Sequence, residues 1–264
     1  MTKANSRNEA GIQKGSPPEE SRSGHASLNL SARNLKAAKI ERLLDLESFP
    51  GPIQLLEVGS GSGGIAHYFG THSALKCKVE AVDIEDCRQI LKGYRFTKVD
   101  SSILPFNEAT FDVVLSNHVI EHVGDSDEQS LHLQELRRVL KPEGIGYLAV
   151  PNRWQWVEPH YKLAGLSWLP EKFRSRYLRW RGRGHYYDCR PLSAAQLERL
   201  LANAGFCFDQ QHARALRLTY QLERPNALIW RLLLRRLPDQ FYTLLRKAFP
   251  TLIYVLRPAS KVEQ

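Results

Sequence analysis

The chain has 264 residues, 42% of them hydrophobic. That is enough for one substantial core, and it excludes a wholly disordered chain, a collagen and a coiled coil. No apolar run approaches the ~20 residues of a bilayer span, and none at the N-terminus reads as a secretory signal, so a cytoplasmic protein is expected. The net charge of +9 is uneven, with −3 over residues 1–150 and +12 over residues 151–264. A basic second half suits phosphates, an anionic membrane surface or nucleic acid, or is simply a solvated basic surface.

Residues 1–26 are polar, with Pro17-Pro18, and predict a flexible tail. Residues 28–48 place Leu35, Ala38, Ile40, Leu43, Leu44 and Leu46 near helical spacing, and the helix should end before Pro50-Gly51-Pro52. The apolar run 53–58 predicts a buried parallel strand, broken by GSGSGG, with a helix starting near Ile65. Further strands are expected at 78–83, 96–99, 111–116 and 145–151, with a short helix at 85–92. Residues 126–144 read as an amphipathic helix, with Leu131, Leu136, Val139 and Leu140 on one face and Gly144 as its stop. Strands alternating with helices imply a parallel sheet covered on both faces, with the strands' carboxyl ends on the ligand-binding edge.

After Pro151 the alternation lapses for about 40 residues, longer than a plain connection. This stretch holds nine Trp, Tyr and Phe residues among seven arginines. Pattern returns in a helix at 191–206, with Ser193 as N-cap and Gly205 as stop. A strand at 206–212, two short amphipathic helices within 226–249 and a last strand at 251–257 complete the reading. Arg231, Arg235, Arg236, Arg246 and Lys247 make 226–249 a candidate for peripheral contact with the inner face of a membrane, or for a dimer face or lid core. The four cysteines (Cys77, Cys87, Cys189, Cys207) lack metal-ligand spacing, read as reduced thiols, and predict no metal site.

Gly59, Gly61 and Gly63 lie between a strand and a helix, where glycine allows positive φ and close approach of backbone to a ligand. Gly59-x-Gly61-x-x-Gly64 also satisfies the dinucleotide fingerprint, so a nicotinamide cofactor is one reading and a tight turn without ligand another. Glu57 precedes the loop, Asp83 ends the second strand, and Asp100 follows the third. Asn117-His118-Val119-Ile120-Glu121-His122 follows the fourth, and Leu136-Arg137-Arg138-Val139-Leu140-Lys141-Pro142-Glu143-Gly144 precedes the fifth. Each acid, and Asn117, has a plainer reading as a cap or turn residue.

This ordered set resembles the class I S-adenosylmethionine-dependent methyltransferases of the small-molecule branch, over roughly residues 53–152 and more weakly to Phe206 and in the last strand. The resemblance implies a Rossmann-like α/β fold with a mostly parallel seven-stranded sheet and a helical, aromatic lid. It implies a cofactor-binding core at 28–151, a lid at 152–190 and completion of the core by 191–264, after a tail at 1–27. S-adenosylmethionine would then lie against Gly59, Ser60, Gly61 and Gly63. Glu57 and Asn117 would stand at its methionine end, Asp83 at the ribose hydroxyls, Ile84 on the adenine face, and Asp100 and Ser101 at the adenine amine. Glu143 stands where the family often has a second glycine, a departure confined to a turn.

For methyl transfer the protein must align an acceptor, exclude water and take up a proton. His122 is the first candidate base and His118 the second, although either could instead serve only local packing. Asn152, His160, Tyr161, Tyr186 and Tyr187 are the lid's acceptor candidates, with Trp154, Glu158, His185 and Asp188 beside them. WVEPHYKLAGLSWLP and GRGHYYDCRPLS resemble segments of methyltransferases of bacterial glycan and lipid pathways. Arginine forks and aromatic faces suit a small-molecule or lipid-linked glycan acceptor carrying an anionic group, and methylation at oxygen is expected. A nucleic-acid methyltransferase is the rival. It has the charge, but Ser116-Asn117-His118-Val119 is not the Asn/Asp-Pro-Pro-aromatic sequence that grips a flipped base.

Overall fold

The computed structural model describes residues 29–234, 236–244 and 249–259. The tail expected at 1–27, and Arg235, Arg246 and Lys247, lie outside the described residues. A helix α1 (Leu30–Leu44), N-capped by Asn29 through the Ala32 N–H, leads into strand β1 (Ile53–Val58). Helix α2 (Gly64–Gly70), strands β2 (Cys77–Asp83), β3 (Tyr94–Lys98) and β4 (Phe111–Asn117), helix α3 (Ser126–Val139) and strand β5 (Leu140–Pro151) follow. Beyond β5 come a two-residue hairpin, β6 (Val157–Glu158) and β7 (Leu163–Ala164), then α4 (Glu171–Trp180), α5 (Ala194–Asn203), β8 (Phe206–Gln210), α6 (His212–Glu223), α7 (Asp239–Leu244) and β9 (Thr251–Pro258).

Seven strands form one sheet in the order β3-β2-β1-β4-β5-β9-β8. The pairs from β3 to β5 are parallel, and β9 runs antiparallel to both β5 and β8. Burial on both faces explains why β1, β4 and residues 144–151 of β5 read as continuous apolar runs, whereas β3 at the sheet edge is largely exposed. One face packs Ile53, Leu55, Val113 and Tyr147 under α1, α2 and α6, and the other packs Leu56, Val58, Val114 and Leu148 under α3 and α5. Alternation along β1 therefore puts Glu57 on the α1 side, among apolar neighbours.

Three expectations need correction. Residues 85–92 form no helix, because local bonds compete with it: Arg88 pairs with Asp86, and the Gln89 N–H donates to the Ser62 carbonyl at 3.0 Å. This segment braces the glycine loop instead. The helix expected over 126–144 ends at Val139, since the residue before Pro142 disfavours helix and Leu140 pairs with Phe111. Its buried stripe is Gln129, His132, Leu133, Leu136 and Val139, leaving Leu131 half-buried. Two helices escaped the sequence reading altogether. They are α4, which is strongly charged, and α6, which begins one residue after β8, where a strand was expected to run on to residue 212.

Candidate functional site

The glycine loop closes tightly on its own protein. The Gly59 N–H donates to the Val82 carbonyl at 2.9 Å, and Gly59, Gly61 and Gly63 have φ of 77°, 51° and 77°. A Cβ at Gly59 would stand 2.3 Å from Val119 Cγ2, and one at Gly63 would meet Tyr94 Oη at 2.1 Å. Glycine is thus required both by conformation and by space. Asp83, at the end of β2, accepts from the Gly61 N–H at 2.8 Å on one oxygen and from the Ile84 N–H at 2.8 Å on the other. With a longer bond from the Glu85 N–H to Oδ1 at 3.5 Å, these bonds fix the carboxylate at the loop.

Glu57 is 2% exposed, and its Oε2 has no hydrogen-bond partner among the described residues. Burial pushes its carboxyl up from 4.5 to about 8, against the pull of Arg33 and a bond from the Ala66 N–H. Ser60 Oγ, Ser62 Oγ and Asn117 Oδ1 are also buried and have no hydrogen-bond partner among the described residues. Buried polar atoms are normally satisfied, so a group of orphaned oxygens around one loop is the signature of a missing ligand. An ammonium would donate to Glu57, and a nearby sulfonium would favour its ionised form through charge alone. Ile84 is 38% exposed, and Asp100 and Ser101 stand exposed beyond β3, with Ser101 Oγ accepting from the Ile103 N–H. The strand ends therefore bring Glu57, Asp83, Asp100 and Asn117 to one sheet edge, as the order of motifs implied.

A second polar cluster follows β4. His118 has a positive φ of 59°, uncommon for a residue with a side chain, and its N–H donates to the Ala149 carbonyl at 2.8 Å. This turn aims His118 Nδ1 at Glu121 Oε1, 3.3 Å away, while His122 Nε2 lies 4.0 Å from the same oxygen. Glu121 is 1% exposed. Burial opposes its ionisation, but His118 and His122 outweigh this and hold it below the usual carboxylate range. His132 on α3 is buried against Ser116 Oγ at 3.1 Å, and desolvation lowers it to about 4, a neutral imidazole.

The segment 152–190 meets this loop at Cys189 and Arg190, whose N–H donates to the Glu121 carbonyl at 2.7 Å. His160 stacks on His122 with ring centroids 4.9 Å apart. Tyr161 Oη donates to Asp188 Oδ1 at 2.9 Å and its ring lies against Tyr187, whose buried hydroxyl has no partner among the described residues. Burial raises the Glu158 carboxyl to about 7 and pushes the Tyr187 phenol upward. Tyr186 is 58% exposed. Asn152 stands apart from the other candidates: its side chain donates to the Phe249 carbonyl and accepts from the Trp154 N–H, tying the end of β5 to the chain. On the far side of Arg190, a groove is lined by Arg153, Arg174, Arg190 and Arg199 with Glu171 and Gln129.

Sequence reasoning gave no role to Glu121, Arg33 or Cys189. The position of Glu121, between His118 and His122 in one short loop, was the available signal. Nothing local announces that Cys189 reaches His122.

Residues 30–211 match the family model described as a methyltransferase domain. The ubiquinone biosynthesis O-methyltransferase of Chelativorans sp. (strain BNC1) is 34% identical over 161 residues, 58% of either chain. An uncharacterized methyltransferase of Mycobacterium sp. (strain JLS) is 32% identical over 120 residues, 43% of either chain. The chain thus spans 58% or less of the length of these curated relatives. Among solved structures, the plantazolicin methyltransferase BpumL superposes with a TM-score of 0.54 at 18% identity, over 88% of this chain and 85% of that one. The 1,6-didemethyltoxoflavin-N1-methyltransferase of Burkholderia thailandensis gives 0.51 at 18%, over 88% and 80%. With the seven-stranded sheet, the glycine loop and the family match in place, the chain belongs to the methyltransferase domain family, the class I S-adenosylmethionine-dependent methyltransferases.

Proposed function

We propose that this protein transfers a methyl group from S-adenosylmethionine to a small-molecule or lipid-linked acceptor, at oxygen. The observation that carries this reading is the buried, unpartnered Glu57 Oε2 beside a glycine loop that is itself clamped by Asp83. When bound, the cofactor supplies an electrophilic sulfonium methyl. Glu57 and Asn117 would hold its cationic methionine end, Gly59, Ser60, Gly61 and Gly63 would give it backbone access, and Asp83 would accept from the ribose hydroxyls. Ile84 covers the adenine, with Asp100 and Ser101 at the exocyclic amine.

Of the two candidate bases, His118 is the better supported. Its Nδ1 faces Glu121 at 3.3 Å, which orients the ring and leaves Nε2 to take the acceptor's proton. His122, stacked on His160, supports the same loop. Residues 152–190 act as the lid, with His160, Tyr161, Tyr186 and Tyr187 around the acceptor and Asn152 at its hinge. Oxygen as the acceptor atom is supported by the O-methyltransferase relative. An anionic group on the acceptor is supported by the groove of Arg153, Arg174, Arg190 and Arg199.

Calorimetry tests the cofactor assignment. S-adenosylhomocysteine binds and NAD does not, and Asp83→Ala weakens binding by ~1–3 kcal/mol; unchanged affinity removes the ribose role. Incubating labelled cofactor with glycan, lipid and RNA fractions identifies the acceptor class. Label in RNA would favour the nucleic-acid reading, for which a tRNA methyltransferase of Arabidopsis thaliana, 29% identical over 108 residues, is the supporting relative.

Peripheral contact with an anionic membrane is supported by the exposed Leu228, Ile229, Leu232 and Phe241 near exposed Arg236. No described helix is long and apolar enough to cross a membrane. Anionic vesicles should pellet the protein, and Leu228→Glu with Leu232→Glu should release it; equal pelleting ends the idea.

A further inference from the structure

His122 on the core loop, His160 after β6 and Cys189 on the return from the lid come from three separate segments. Their ligand atoms lie within 4.8 Å of one another. We propose that these three side chains bind a divalent transition ion of the zinc class, clasping the lid to the core beside the acceptor cleft. Cys189 Sγ stands 3.7 Å from His122 Nδ1 and 3.8 Å from His160 Nδ1. A tetrahedral ion with a sulfur bond of about 2.3 Å and nitrogen bonds of about 2.1 Å separates sulfur from nitrogen by about 3.6 Å. The cluster therefore already has the spacing of two ligand edges. Two imidazoles and a thiolate suit zinc, cobalt or copper and not magnesium or calcium, which demand oxygen.

The surroundings carry the outer features of such a site. Glu121 Oε1 lies 4.0 Å behind His122 Nε2, the place of a carboxylate that orients a ligand imidazole. Glu158 Oε1 stands 3.8 Å from His160 Nδ1 and Asp188 Oδ1 3.4 Å from the sulfur. Both supply negative charge and one could complete the coordination. The imidazole planes are 11° apart, so one ring turns about its Cβ–Cγ bond to bring both nitrogens to a single ion. A chelated lid would hold the acceptor cleft closed to water without adding a residue to the cofactor site.

The test uses the untagged full chain, freed of metal by a chelator and titrated with Co²⁺ and then Zn²⁺. One equivalent of Co²⁺ should give visible ligand-field bands and a thiolate-to-cobalt charge-transfer band in the near ultraviolet, which one equivalent of Zn²⁺ erases. Cys189→Ser should abolish the charge-transfer band, while Cys207→Ser, an exposed thiol on β8, should keep it. His160→Gln should weaken Co²⁺ at least ~10-fold. S-adenosylhomocysteine binding checks that each variant is folded, and because it reports the cofactor site it separates failure of this proposal from failure of the methyl-transfer reading. No stoichiometric metal, or metal binding that survives Cys189→Ser together with His160→Gln, would overturn the site and leave a thiol–imidazole hydrogen-bond cluster.

Discussion

Glu57→Gln isolates a buried acid whose Oε2 has no hydrogen-bond partner among the described residues. Unfolded, this carboxyl ionises near 4.5; folded, burial holds its proton up to about 8. The folded state binds more protons in that window, so stability is fullest below 4.5 and is lost as pH rises through 8. At ~1.36 kcal/mol per pH unit, the loss is about 3 kcal/mol at pH 7 and about 5 kcal/mol at most in alkaline solution. Glutamine keeps the shape and has no proton to lose. In urea unfolding without ligand, followed by tryptophan fluorescence, Glu57→Gln should match the wild type near pH 5 and exceed it increasingly up to pH 8.5. A bound cation reverses the preference, because it favours the carboxylate. Wild type at pH 7 should release close to one proton on binding S-adenosylmethionine, read by calorimetry in buffers of different ionisation enthalpy. The variant should release none at Glu57 and bind more weakly by ~1.5–3 kcal/mol. Parallel pH profiles for the two proteins would refute this account of Glu57.

Gly59→Ala should cost at least about 2 kcal/mol by urea midpoint with an unchanged slope, because alanine must adopt φ of 77° and displace Val119 Cγ2 at 2.3 Å. A neutral result would mean that the loop is free to move. His118→Ala should lower kcat at least ~100-fold, while leaving cofactor affinity within a factor of about two. Loss of cofactor binding in step with kcat would assign His118 to the cofactor and not to the proton.

The core of this fold was legible because its signals are local. β1, β4 and residues 144–151 of β5 are apolar runs buried on both faces of the sheet, β2 alternates, and Gly59, Asp83 and Asn117 sit at strand ends, so strand order in sequence already carries the ligand edge. Ser193 shows the same locality: its side chain and Gln196 form a reciprocal cap within four residues. Where local rules competed, the sequence reading slipped. At 85–92, helical spacing lost to Asp86 binding Arg88 and to the Ser62 carbonyl. On α3, the true stripe runs through His132 and Gln129, two polar residues that only a buried network with Ser116, Ile120 and Arg190 could make tolerable.

From the chain alone came the parallel sheet, the glycine loop with its acids, and the place after Pro151 where the alternation of strands and helices lapses. Tertiary structure alone decided that Glu57 is stranded without a complete set of partners, that Glu121 is shared by two histidines, and that Cys189 returns across the lid to His122 and His160. The first set depends on spacing between neighbours along the backbone, which side-chain periodicity records. The second depends on which distant segments close on one another, and on how much water remains between them, which no local pattern encodes.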